Sequence, residues 1–290
     1  MPPTANDKPA TIPATQSLRD LAGAFSTEIT ARDKRAIDAC RQHLAPGTTV
    51  HVAWIPGDAP HAIVAALAAL RRAGFDPVPH VAARQLESAA VLEDYVARAR
   101  GEAGVDELLV IGGDAARPAG PFAASMDVLR SGVIERHDIA KVGIAGHPEG
   151  SPRIGPIELD AALREKAHFA AQSTARFHIV TQFCFEVDPI LLWIEALRDA
   201  GIGLPVRVGL AGPASVATLV KFALRCGVGN SIRALNLRGA AIARLLAESD
   251  PGHLVVALRR FAASDPALGI AGFHFFPFGG IARLGAWLDG

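Results

Sequence analysis

The chain has 290 residues, of which 50% are hydrophobic and 20% are charged, enough for one large core or two ordinary ones. Lysine plus arginine and aspartate plus glutamate number 29 each, so no global field attracts nucleic acid or an anionic membrane. Three widely spaced cysteines (Cys40, Cys184 and Cys226) argue against a disulfide framework or a zinc site and favour a reducing cytoplasm.

Residues 1–16 are rich in proline, threonine and alanine and predict a disordered leader without the apolar segment of a signal peptide. From residue 17 onward, short strand-like runs alternate with helix-like stretches. The predicted strands are 24–30, 48–55, 78–82, 107–112, 141–145, 177–185, 206–210 and 271–276. The predicted helices are 31–43, 60–73, 86–100, 121–131, 159–174, 188–200, 213–226, 232–248, 251–263 and 281–288.

Eight strands, each followed by a helix, predict a single-domain α/β fold, a (β/α)8 TIM barrel over residues 17–290. An open doubly wound sheet is the alternative. Such a sheet usually has a glycine-rich first turn, and residues 30–33 (TARD) stand in that place. The barrel predicts that functional groups lie at the carboxyl ends of the strands.

The run 177–186 (FHIVTQFCFE) predicts a central strand buried on both faces. Strict alternation places His178, Val180, Gln182 and Cys184 on one face and the intervening residues on the other. A buried amide left without partners costs about 1–3 kcal/mol, so a polar group is expected opposite Gln182. A neighbouring backbone group or a ligand would satisfy it.

Glu28 lies on the polar face of the first strand, together with Ser26. Inside a barrel mouth a carboxyl group loses solvation, so its pKa is expected to rise and make Glu28 a general acid. The alternative is a surface carboxylate paired with Arg32 or Lys34.

Two further strand ends carry polar groups. Gly112 and Gly113 allow close approach of a ligand, and Asp114 follows them as a hydrogen-bonding group or as a turn residue. His147 follows the fifth strand and would contact a ligand or complete a turn, whereas the scattered remaining histidines do not indicate a metal site. Gly227 and Ser231 are typical of a helix end and the cap of the next helix.

Taken in order, these segments resemble the methylenetetrahydrofolate reductase family. The stretches that carry the resemblance are Ser26-Thr27-Glu28, Ile111-Gly112-Gly113-Asp114, Ala145-Gly146-His147-Pro148-Glu149, Thr181-Gln182-Phe183-Cys184-Phe185-Glu186 and Phe273-His274-Phe275-Phe276. The resemblance implies a (β/α)8 barrel with FAD at its mouth, hydride transfer from NAD(P)H to methylenetetrahydrofolate, and a homo-oligomer. It also implies a short form without the regulatory domain of eukaryotic relatives.

The resemblance assigns roles residue by residue. Glu28 falls on the acid that opens the methylene bridge, Asp114 on a carboxylate near the pterin and flavin rings, and Gln182 on an amide that contacts folate and nicotinamide. The positions that fall on flavin contacts are His80, Gly112, Gly113, Asp114, Ser125, His147 and Lys166.

Three positions depart from the family pattern. Gly112 stands where well-known bacterial members have arginine, His147 where they have tyrosine, and Ser151 where histidine is expected. A flavin-independent reductase with direct hydride transfer is therefore one alternative. A folate-binding or methyl-transfer barrel without redox chemistry is another. An aldolase or lyase barrel would need a Schiff-base lysine at a strand end, and the predicted strand ends offer none.

Overall fold

The computed structural model describes residues 17–226, 228 and 250–290. Eight parallel strands close into one barrel in sequence order, and the last strand pairs with the first. The (β/α)8 prediction is confirmed. The predicted leader (1–16), the predicted helix 232–248 and the cap residues Gly227 and Ser231 lie outside the described residues.

The strands fall within one or two residues of their predicted positions. They are β1 Ser26–Thr30, β2 Thr49–Ala53, β3 Asp76–Ala82, β4 Glu107–Ile111, β5 Lys141–Gly146, β6 Arg176–Cys184, β7 Val206–Ala211 and β8 Ile270–Phe276. Apolar runs between helical segments identified them, because strands of a parallel barrel are buried on both faces.

The described helices surround the barrel. They are α1 Leu18–Ala22, α2 Ala36–His43, α3 Pro60–Arg72, α4 Ala89–Ala103, α5 Ser125–Leu129, α6 Val133–Arg136, α7 Pro156–Ala170, α8 Val187–Asp199, α9 Val216–Cys226, α10 Gly252–Ser264 and α11 Ile281–Asp289. Local chemistry sets their starts: Pro60 and Pro156 open α3 and α7, and the Ser88 hydroxyl accepts from the Val91 N–H of α4. None of the described helices is long and apolar enough to cross a membrane.

Two kinds of core hold the barrel. The main cluster lies between strands and helices and includes Val50, Ile144 and Phe273. A small inner cluster joins Val78, Leu109 and Val180. Alternation along β3, β4 and β6 therefore supplies apolar side chains to both faces of these strands.

Strand β6 departs from strict alternation. Its pairing with β7 shifts register between Val180 and Phe183, which is the signature of a β-bulge. Cys184 consequently packs in the main cluster with Ile179, away from Val180. The prediction that Cys184 shares a face with Val180 is wrong, because the extra residue of the bulge changes the face of everything after it.

The bulge packs tightly against β7 at Gly209. The Gly209 N–H donates to the Thr181 hydroxyl over 2.8 Å. A Cβ at position 209 would lie 2.6 Å from the Gln182 carbonyl oxygen and would also meet that of Thr181. Backbone atoms cannot move aside as a flexible side chain does, so only glycine fits here.

We expect Gly209→Ala to lower the free energy of unfolding by about 1–3 kcal/mol, since it forces the β6 and β7 backbones apart. Gly203→Ala is the matched control, because a Cβ at the exposed Gly203 meets nothing within 4 Å. Urea unfolding of both variants measures the difference. Equal midpoints for the two variants would show that β6 and β7 tolerate a side chain at the bulge.

Candidate active site

Glu28 of β1 lies at the barrel mouth between two histidines. Its Oε2 is 3.8 Å from Nε2 of His80 on β3 and 3.6 Å from Nε2 of His274 on β8. The side chain of Glu28 keeps 19% of its surface exposed, whereas that of His274 keeps 1%. Arg32, the alternative partner considered for Glu28, pairs instead with Asp58. The carboxylate is thus an interior group with imidazole neighbours and one opening to the mouth.

The pKa of Glu28 is lowered, against the expectation from burial alone. Burial raises it, but the hydrogen-bonding contact with His274 and the charge interactions with His80 and His274 together outweigh that effect. The predicted rise is therefore wrong. The reason is that β3 and β8 bring imidazoles to the carboxylate, which the sequence of β1 does not reveal.

A third imidazole completes what we call the imidazole cluster: His51, His80 and His274. The His51 ring packs edge to face on His274 at 4.7 Å and on His80 at 5.7 Å between centroids. Burial lowers the pKa of His80 to about 4 and that of His51 well below 6.5, so both rings are neutral at physiological pH. Among the described residues, no three potential ligands converge on a metal position.

Ser26 fixes the orientation of one ring in this cluster. Its hydroxyl lies 2.9 Å from Nδ1 of His274, and both side chains are buried. The next residue, Thr27, donates from its hydroxyl to the Phe275 carbonyl. The neighbouring strands β1 and β8 are therefore linked through side chains at the level of Glu28.

An aromatic wall adjoins the imidazole cluster. It consists of Phe183, Phe222, Phe276 and Phe278 from β6, α9, β8 and the segment after β8. Phe222 stacks on Phe278 with centroids 4.1 Å apart, and Phe183 meets Phe278 edge to face at 4.9 Å. The Phe276 ring lies 4.8 Å from His274. This wall makes one side of the mouth apolar and offers ring faces for stacking.

Gln182 carries an amide without a protein partner. Within the described ranges, neither its Oε1 nor its Nε2 makes a hydrogen bond, although both atoms are buried. The sequence analysis expected a polar group opposite Gln182, and the described residues provide none that hydrogen-bonds to its side chain. A buried amide in this state is free to hydrogen-bond a ligand or a water molecule.

Asp114 lies on the loop after β4 and is exposed. Its carboxylate is 4.0 Å from Arg153 and 3.9 Å from Arg225, and Arg153 also donates to its carbonyl oxygen. The charges of Asp114 and Glu28 both raise the pKa of the Cys226 thiol, after burial as the main cause. Cys226, at the end of α9, therefore lies near both carboxylates, which places them at the same mouth.

The paired glycines after β4 differ in their surroundings. Gly113 has φ +87° and approaches Ala82 closely, so its backbone requires glycine. A side chain at Gly112 would enter open space.

Ser125, the first residue of α5, is buried.

His147 and Lys166 form a separate pair. Burial, and to a smaller extent the Lys166 ammonium, lower the pKa of His147 to about 4. Burial also lowers the pKa of Lys166. The end of β5 and helix α7 thus bring together two positions that the resemblance assigns to one cofactor.

Sequence reasoning placed Ser26 on the polar face of β1 without giving it a role, and it missed His51 and the aromatic wall as parts of the site. Ser26 and His51 each sit on the inner face of their strands, so alternation contained a signal for them. The wall depends on the bulge in β6, for which the sequence gives no sign.

A comparison with protein families assigns this barrel to one of them. The sequence model described as methylenetetrahydrofolate reductase matches residues 36–230, about two thirds of the chain. The chain belongs to the methylenetetrahydrofolate reductase family. Glu28 precedes the matched segment, while Gln182 and Asp114 lie within it.

Methylenetetrahydrofolate reductase 1 of Schizosaccharomyces pombe (strain 972 / ATCC 24843) is 32% identical over 90 residues, which cover 31% of this chain and 14% of that protein. Among solved structures, dihydropteroate synthase from Thermus thermophilus aligns with a TM-score of 0.49 at 16% identity, covering 93% of this chain and 97% of that one. Thiamine phosphate pyrophosphorylase from Pyrococcus furiosus aligns with a TM-score of 0.40 at 11% identity, covering 94% and 98%.

Buried histidines should make this family member acid-labile. Burial lowers the pKa of His80, His147 and His178 to about 4, whereas an unfolded histidine titrates near 6.5. The unfolded chain therefore binds more protons, and the free energy of unfolding should fall as the pH drops from 6.5 towards 4. Urea midpoints at pH 7, 6 and 5 measure this slope.

Two matched histidine variants test whether a buried ring causes this pH dependence. His178→Gln should flatten the slope between pH 7 and 5, and substitution of the exposed His168 by Gln should leave it unchanged. A slope that is the same in His178→Gln and wild type would contradict the assignment.

Gln182→Leu should leave the free energy of unfolding unchanged or raise it by about 1 kcal/mol, because it removes an unpartnered buried amide. Gln85 is the matched contrast, since its amide donates to the Trp54 carbonyl oxygen. Gln85→Leu should therefore destabilise the fold by about 1 kcal/mol. Urea unfolding compares the two, and a clear loss of stability in Gln182→Leu would mean that the amide has a partner in the protein.

Proposed function

We propose that this chain reduces 5,10-methylenetetrahydrofolate to 5-methyltetrahydrofolate with NAD(P)H and bound FAD. The observation that carries the proposal is the position of Glu28, an interior carboxylate at the mouth with two imidazoles against it, in a chain of this family. Hydride addition requires a cationic carbon, and protonation of the folate creates one. Its three free cysteines support a cytoplasmic setting.

The residues present fit a flavin. Gly112 leaves open space beside the strand ends, and Gly113 lets the backbone approach a ring system closely. Ser125 would donate or accept a hydrogen bond, and the His147–Lys166 pair would meet an anionic group. When bound, FAD would supply a carrier for the hydride between NAD(P)H and the folate.

Side chains at the barrel mouth would protonate the folate, bind it and shield it from water. Glu28 would give its proton to the folate nitrogen whose bond to the methylene bridge breaks, leaving an iminium at the carbon that accepts hydride. The unpartnered amide of Gln182 would bind the polar edge of the pterin. The aromatic wall would keep water from the iminium.

A flavin-independent reductase is the second candidate, favoured by the open space at Gly112 where well-known members place an arginine. A visible spectrum of the purified protein separates the two. Flavin absorbance supports the first, and a colourless protein that oxidises NAD(P)H in the presence of methylenetetrahydrofolate supports the second. A non-redox folate-binding protein would bind tetrahydrofolate without oxidising NAD(P)H.

We expect Glu28→Gln to slow reduction of methylenetetrahydrofolate by about 10²–10⁴-fold, because an amide cannot donate the proton. Reduction of bound flavin by NAD(P)H should persist, since that step needs no acid. Stopped-flow absorbance follows the two half-reactions separately.

The matched control is Glu102→Gln, which removes an exposed carboxylate paired with Arg98 on α4. It should behave as wild type in both half-reactions. Equal loss of both half-reactions in Glu28→Gln would exclude Glu28 as the acid.

A further inference from the structure

The arrangement behind Glu28 has the form of a proton relay. His274 contacts the Ser26 hydroxyl through Nδ1 at 2.9 Å and faces Glu28 through Nε2 at 3.6 Å. Both Ser26 and His274 are almost completely buried, so water does not compete for either contact. A ring held at one nitrogen presents the other in a fixed direction.

A source of protons is needed at this position. On the proposed function, on which this inference rests, each reduction consumes one proton, and Glu28 delivers it. The pKa of Glu28 lies below its ordinary value, so the free protein holds it as a carboxylate at neutral pH. A proton must therefore reach Glu28 before or during each turnover.

We propose that His274 relays this proton to Glu28 and that Ser26 is its positioning residue. The bond between the proton and Nε2 of His274 breaks as an O–H bond forms at Oε2 of Glu28, and Glu28 then passes that proton to the folate nitrogen and becomes a carboxylate again. His274 keeps the hydrogen on Nδ1, which it donates to the Ser26 hydroxyl oxygen, and becomes neutral. After product release it regains one proton from solvent by way of Glu28, the more exposed of the two side chains, so one proton is consumed for each hydride transferred.

His80 is not suited to this task, although its Nε2 is 3.8 Å from the same carboxylate oxygen. Burial lowers its pKa to about 4, so at neutral pH it is a neutral ring without the second proton that an imidazolium could give. Within the described part of the chain its Nε2 has no hydrogen-bond partner. His80 therefore lacks both a second proton to donate and a partner such as Ser26.

The titratable and charged groups around His274 are consistent with His274 being the histidine that passes the proton to Glu28. His51 packs on His274 from β2 and stays neutral. His178 on β6 and Arg207 on β7 complete the surroundings, and the Arg207 charge opposes protonation of His51 and His178. Glu28 is the anionic group in contact with the His274 ring.

The test uses the flavin-loaded enzyme with three variants. Pre-reduced protein is mixed with methylenetetrahydrofolate from pH 5 to 9, and flavin reoxidation is followed. We expect His274→Gln to be slower by about 100-fold and Ser26→Ala by about 10-fold at pH 7. Ser26→Thr, which keeps a hydroxyl, should recover most of the rate. Both losses should shrink towards pH 5, where the higher proton concentration speeds direct proton transfer from solvent to Glu28.

Histidine NMR gives a readout independent of turnover. In protein labelled with ¹⁵N-histidine, Ser26→Ala should change the shifts of Nδ1 and Nε2 of the ring that His274→Gln removes. His168→Gln, which alters an exposed ring, is the matched control for rates and spectra. Melting temperatures establish that each variant is folded.

The outcomes separate this inference from the proposed function. If wild type reduces methylenetetrahydrofolate and Ser26→Ala has the wild-type pH profile, the relay is wrong while the function stands. Loss of rate in Ser26→Thr equal to that in Ser26→Ala, with both folded, also overturns it. If wild type oxidises NAD(P)H but never reduces the folate, the proposed function fails, and the relay fails with it.

Discussion

The pairing of β1 with β8 is the contact on which the rest of the structure depends. Ser26 lies opposite His274 and Thr27 opposite Phe275 in this register, which closes the barrel. The same register creates the Ser26–His274 hydrogen bond and the bond from Thr27 to the Phe275 carbonyl. Because a slip by one residue turns every side chain to the other face, closure of the barrel and assembly of the site are one event.

Closure carries an electrostatic cost that shapes the chemistry. The barrel interior shields the imidazole cluster from water. The pKa values of His51 and His80 are lowered, so these two rings stay neutral and avoid the free-energy cost of a buried charge. Glu28 is different because it borders the mouth and has imidazole neighbours that favour its charged form. The site therefore starts from a carboxylate and needs a proton.

The sequence identified the strands well, because parallel barrel strands are apolar runs of a set length between helices. It also placed Glu28, Asp114 and Gln182 at strand ends, where a barrel concentrates its functional groups. It failed at the face of Cys184, since a bulge is an insertion relative to a partner strand that alternation along one strand cannot detect. The direction of the Glu28 pKa shift could not be predicted for a related reason. The contact that lowers this pKa comes from His274 on β8, a strand far from β1 in the sequence. His274 also hydrogen-bonds Ser26, which is 248 residues away in the chain.

The two carboxylates of the mouth show how environment divides their roles. Asp114 is exposed and faces Arg153 and Arg225 at about 4 Å, so solvent screens its charge and leaves the pairs weak. Glu28 is largely enclosed and lies beside imidazoles, a type of side chain that can give up a proton as a guanidinium group does not. Environment therefore suits Asp114 to holding a charge at the rim and Glu28 to moving a proton. The thiol of Cys226 lies near both, and its raised pKa keeps it neutral, so it adds no negative charge to the mouth.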